Sequence, residues 1–179
     1  MENIFKNKIY LVSLAALITA GVLINFCTKI YQCACFFSII TATSVFLSNK
    51  YGLKKASFSL ALSLVIAALV TYNVEYKIHN VTYVGIMMTS FVSVFLSFVA
   101  SALMFEKTQS NVLANSALVM FSASFIDGFI MSGYFVNKLS ALNITSIFAQ
   151  EIFFKSIYLT VFLVAAYGVK LLNSKVSKA

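Results

Sequence analysis

The chain has 179 residues, of which 61% are hydrophobic and only 10% charged, and it contains no proline or tryptophan. Soluble domains are nearer about 45–50% apolar and about 25% charged, so this chain has too much apolar surface for a soluble core and bilayer lipid is the expected solvent. The formal charge of +8 comes from thirteen lysines without an arginine, scattered in short gaps between apolar runs, which argues against a nucleic-acid surface.

Six apolar runs have the length a helix needs to cross about 30 Å of hydrocarbon, or nearly so. They cover residues 9–27, 31–47, 56–72, 81–105, 112–134 and 147–172. The expected fold is therefore an all-α integral membrane bundle of six transmembrane helices in a single domain. The first run is too long for a signal-peptide core, and Lys29 follows it without a small-residue cleavage site, so it reads as a retained helix. Its Ala16 and Ala20 form a small-residue pair that lets a neighbour approach. Cys27, Cys33 and Cys35 follow near the first turn. They read as buried apolar residues; no Cys-x-x-Cys or His pair suggests a metal, and a Cys27–Cys33 disulfide stays open.

The second and third runs are short, about 17 residues each. Ser59, Ser63 and Ala67 line one face of the third, and Ser90, Ser93, Ser97 and Ser101 do so on the fourth. Both stripes read as packing seams. No proline interrupts any run, while Gly85, Gly128 and Gly133 permit local bending. His79 reads as a solvated loop histidine. Asn80-Val81-Thr82 and Asn143-Ile144-Thr145 match the glycosylation sequon by chance if the source is bacterial, as the lysine-only, asparagine-rich composition suggests.

Lysine placement sets the orientation. With both termini in the cytoplasm, the inner segments hold Lys6, Lys8, Lys50, Lys54, Lys55, Lys107, Lys170, Lys175 and Lys178, and the outer loops hold Lys29, Lys77 and Lys138. Nine against three is a firm positive-inside bias for a bacterial inner membrane. Tyr10, Tyr31, Tyr51, Tyr72, Tyr83, Tyr134 and Tyr167 fall near span ends, where amphipathic rings prefer to sit. Tyr158 alone is well inside a span.

Three ionisable residues lie where hydrocarbon should surround them: Asp127 in the fifth run, and Glu151 and Lys155 in the sixth. Such a group costs about 2.5–3.5 kcal/mol on insertion scales, so it marks a site or a pair. Glu151 and Lys155 are four apart on one helix face, and Tyr158 continues that face. Counting from the inner ends at 1.5 Å per residue places Asp127 about 22 Å deep and Lys155 about 25 Å deep, so the two can meet. Two acids and one base leave a negative surplus that a cationic or donor-rich solute neutralises. A purely structural ion pair between the last two helices is the competing reading. No protease, nucleotide or hydrolase motif is present, so no enzyme, catalytic residue or cofactor is expected.

Three stretches carry a family resemblance. Phe37-Ser38 through Lys50-Tyr51-Gly52-Leu53-Lys54-Lys55-Ala56 resembles the second-helix signature of the queuosine precursor transporter (VUT) family. Ser124-Phe125-Ile126-Asp127-Gly128-Phe129 resembles that family's aspartate motif, and Glu151-Ile152-Phe153-Phe154-Lys155 with Tyr167-Gly168-Val169 resembles its final helix. Together they cover roughly half of the chain in the right order. The chain departs from the family at Val45 and Asn49, where the family carries acidic or charged residues, and at Gly85, Phe98 and Ser101 in place of polar ones. It resembles a divergent member.

The resemblance implies import of a 7-deazaguanine-type base. The proposed lining is Asp127, Glu151 and Lys155, with Tyr158 or Phe154 stacking on the ring. The partners expected are the bilayer and a purine-like solute, with a homo-oligomer or energising subunits left open. Two other readings remain: a substrate-binding membrane subunit of a multi-component uptake system, and a non-transporting assembly protein.

Overall fold

The structure, a computed structural model, describes the backbone of residues 2–73, 77–78, 81–82, 85–105, 111–136 and 139–176, and their side chains except for 2–7, 77–78, 81–82 and 170–176. His79, Asn80, Tyr83, Lys107, Lys138 and Lys178 lie outside the described residues. Long apolar runs without proline form helices wherever backbone groups must bond within the segment. These are α1 (Glu2–Leu23), continued by a 3-10 turn Ile24–Phe26, α2 (Ile30–Tyr51), α3 (Leu53–Thr71), α4 (Ile86–Phe105), α5 (Val112–Phe135) and α6 (Ala141–Val176). All six are long and apolar enough to cross a membrane, as a multi-pass membrane protein requires.

Several boundaries differ from the hydropathy reading. The helix α2 runs on to Tyr51, past the end of its apolar run, because Ser48, Asn49 and Lys50 continue the helix without contributing hydropathy. Gly52, at φ 86°, is then the entire joint to α3. Only glycine takes that conformation without strain, and so two helices turn back on each other in one residue. The fourth helix begins five residues later than its apolar run. Val81–Thr82 instead pairs antiparallel with Lys77–Ile78 in a small hairpin, and Gly85 at φ 83° separates this hairpin from α4. β-Branched residues at the head of the run favour the strand, which hydropathy alone does not distinguish. With 36 residues α6 is about 54 Å long, more than the hydrocarbon needs.

Burial is inverted relative to a soluble protein. Leu11, Val12, Phe58, Leu69, Val70, Phe129 and Val161 are exposed, whereas Ser38, Ser44, Ser59, Ser63, Ser93, Ser97 and Ser101 are fully buried. An apolar exterior around a hydroxyl-rich interior suits a lipid solvent. The small-residue faces on α1 and α3 are indeed a seam. A Cβ built on Gly21 would stand 3.4 Å from Ala67 Cβ, with Ser63 and Leu64 beside it. At one end of this seam the Tyr10 and Ser59 hydroxyls share a hydrogen bond of 2.7 Å, and the Tyr10 ring packs edge-on against Tyr51 at 5.4 Å. On the other side of the bundle α5 packs against α6 through Gly128, where a Cβ would come within 3.0 Å of Phe148 and 3.2 Å of Ile152. The three cysteines form no disulfide, and Cys27 is buried, its thiol donating to Leu23 O at 3.4 Å.

Candidate functional site

Asp127 sits midway along α5 and Lys155 midway along α6, on the faces that the Gly128 contact presses together. Lys155 Nζ donates to Asp127 Oδ2 at 2.6 Å and to Glu151 Oε2 at 3.4 Å. Asp127 Oδ1 is taken by Ser93 Oγ on α4, which donates to it at 2.6 Å. Each carboxylate oxygen of Asp127 thus has its own donor, and the ammonium bridges two acids. The Lys155 ammonium also stands 4.4 Å from the centre of the Phe37 ring on α2, a cation–π distance. Four helices, α2, α4, α5 and α6, therefore converge on one charge cluster. Lys155 is 2% exposed and Asp127 4%, while the Glu151 side chain keeps 17%. That gradient points the cluster toward open space on the Glu151 side.

The open space is a cavity of about 400 Å³ lined by Asp127, Glu151 and Lys155 together with Asn25, Phe37 and Ser90. The end of α1 and the starts of α2, α4 and α6 meet there with the end of α5, so consecutive helices run antiparallel and the cavity belongs to one end of the bundle. Lys29 and Thr28, both exposed, stand at its rim. Deep inside, two carboxylates face one ammonium, and Lys29 adds a second positive charge only at the mouth. Apolar walls from Ile24, Ile86, Val94 and Met131 complete the lining. A volume at the low end of the ligand-pocket range of about 300–1,000 Å³, with few polar groups converging, suits a solute of the size of a single heterocyclic base.

Asp127, Glu151 and Lys155 are brought together as their spacing suggests. Phe154 and Tyr158 are half-buried and outside the cavity lining. Phe154 instead packs near Tyr31 of α2, with ring centres 6.1 Å apart. Neighbouring residues on a helix point about 100° apart, so Phe154 leaves the face that carries Lys155, and the aromatic side chains that line the cavity are Phe37 and Phe135. Sequence reasoning does not assign Phe37 or Asn25 to the site, and it reads Ser90 and Ser93 as packing residues. Comparison with protein-family models, curated proteins and solved structures yields no match.

Proposed function

We propose that the chain is a multi-pass transporter of a bacterial inner membrane, with both termini cytoplasmic, that imports a small donor-rich solute, most specifically a 7-deazaguanine-type base. The observation that carries this reading is the buried Asp127–Lys155–Glu151 cluster opening into a base-sized cavity between apolar helices. A purely structural pair needs no cavity and no second acid. Here Glu151 keeps part of its surface toward the open volume.

The chemistry fits a guanine-like edge. A carboxylate accepts two hydrogen bonds from adjacent N–H donors, as acids accept from base donors in nucleic-acid recognition. Glu151, held only by the longer bond to Lys155, is the acid best placed to turn toward a solute. Lys155 donates to a ring carbonyl, and the cavity wall that includes Phe37 and Phe135 offers apolar surface to the ring. Asp127 fixes Lys155 from behind and is itself fixed by Ser93. The lysine distribution supports the orientation, and it places the cavity on the outer side, where an importer captures its solute.

The test is ligand-dependent thermal stabilisation of the purified protein in detergent. 7-Deazaguanine should raise the Tm of the parent chain, whereas Glu151→Gln should blunt that rise, and adenine, which lacks the ring carbonyl, should have little effect. An unchanged Tm over a wide range of 7-deazaguanine concentration refutes the assignment of this solute class.

A further inference from the structure

A second cavity, of about 280 Å³, lies at the opposite end of the bundle. Its walls come from the end of α2, the Gly52 joint, the end of α4 and the start of α5, and Ser48, Asn49, Asn115 and Ser116 are its polar groups. Asn49 Nδ2 donates to Ser116 Oγ at 2.9 Å, and Ser116 donates to Val112 O at 2.7 Å. Among the described residues, no charged side chain lines it.

Among the described residues, three buried side-chain oxygens have no hydrogen-bond partner: Ser44 Oγ, Ser101 Oγ and Asn115 Oδ1. All three belong to this end. Asn115 lines the cavity, Ser44 lies one turn from lining residue Ser48 on the same face of α2, and Ser101 lies one turn from lining residue Phe98 on α4. Buried polar atoms are almost always satisfied, so the unpartnered Asn115 Oδ1 in the cavity wall marks a place where something other than the chain supplies the partner.

The two cavities nearly meet. Along α4 only one turn, about 6 Å, separates Val94 in the first from Phe98 in the second. Along α2 and α5 the gaps, Phe37 to Val45 and Asp127 to Val119, are about 12 Å. The intervening layer contains Thr41, Ser44, Ser97 and Ser124, all buried, with Phe98 fully buried beside them. Close packing alone is served equally well by alanine. Ser97 and Ser124 donate back to their own helices at Val94 O and Met120 O, and Ser44 has no partner, so hydroxyls on three helices occupy the level between the cavities.

We propose that the second cavity is a solute-binding station at the far end of the transport route, taking an uncharged molecule through its N–H donors, and that the hydroxyl layer beneath Phe98 is the closed gate between the stations. The inference rests on the transport reading above. Asn115 Oδ1 is the acceptor for the solute in the second station. A solute leaving the charged cavity exchanges charge-assisted hydrogen bonds for weaker neutral ones, which favours capture at the first station and release at the second.

The test uses the full chain, with Cys27, Cys33 and Cys35 replaced by alanine, in proteoliposomes of uniform orientation. Ser90→Cys and Asn115→Cys should react with a membrane-impermeant methanethiosulfonate from opposite faces. Ser97→Cys, between the two cavities, should react slowly, and adding Phe98→Ala should raise its rate several-fold. Asn115→Leu should keep the Tm rise given by 7-deazaguanine yet lower its uptake by about tenfold. Labelling of both cavities from one face, indifference of Ser97→Cys to Phe98→Ala, or full uptake by Asn115→Leu overturns the proposal. If the parent chain neither binds nor takes up 7-deazaguanine, the transport reading fails instead, and the labelling arms still decide whether a route joins the two cavities.

Discussion

Replacing Lys155 by methionine removes the only cation from a cluster of two carboxylates while keeping most of the side-chain volume. Asp127 is then buried with Ser93 as its single remaining side-chain donor, and Glu151 loses its partner 3.4 Å away. Breaking a buried pair from one side costs about 3–5 kcal/mol, because the surviving charge is left uncompensated or must take up a proton. Losing the Phe37 contact adds about 1 kcal/mol. The opposite change, Asp127→Asn, is milder, since Lys155 keeps Glu151 and the amide oxygen still accepts from Ser93. Its cost should be about 1–2 kcal/mol. The double variant, Asp127→Asn with Lys155→Met, removes the opposing buried charges together and should recover most of the loss seen with Lys155→Met alone. Equilibrium unfolding in mixed micelles, read by far-UV circular dichroism, measures all three. Equal destabilisation by the two single variants, or a double variant no more stable than Lys155→Met, refutes the claim that Lys155 is shared between two acids.

Ser93→Ala should destabilise by about 1–3 kcal/mol in the same assay, as a hydrogen bond to a charged acceptor is lost, whereas a stripe that serves only for packing tolerates alanine without cost. Gly128→Val forces a branched side chain against Phe148 and Ile152 and should cost about 1–3 kcal/mol, while Gly133→Val, in open space, should be nearly neutral. Reporter fusions within residues 50–55 and after residue 170 should read cytoplasmic, and one near residue 138 external; an external signal from the first reverses the orientation.

The charge cluster was legible in the sequence because an acid or lysine in an apolar run has few acceptable environments. Asp127, Glu151 and Lys155 could be picked out, and the helix rise alone put Asp127 and Lys155 at matching depth. Ser93 was not legible. Hydroxyls in apolar helices commonly bond back to their own backbone, as Ser97 does to Val94 O and Ser124 to Met120 O, and spacing does not reveal which one turns outward. Phe37 was hidden for a similar reason: many phenylalanines occupy these helices, and only the convergence of α2 on α6 selects one. The assignment of Phe154 and Tyr158 to the lining assumed that the whole Lys155 side of α6 faces the cavity. In the fold that side is divided between the cavity and the α2 contact. The late start of α4 escaped the hydropathy reading because residues 81–85 are apolar enough for either structure, and the Gly85 backbone decides between them.

Uptake by a folded Asp127→Asn protein decides whether Asp127 and its partners serve a solute or only join two helices. The amide preserves shape and the Ser93 contact but removes the charge that holds Lys155 in place for the solute. Tritiated 7-deazaguanine uptake into proteoliposomes should therefore fall to background for Asp127→Asn, while its elution as a monodisperse species and its helical content match the parent chain. Uptake at the parent rate by that well-folded variant would remove Asp127 from the transport site and leave the pair as a structural tie between α5 and α6.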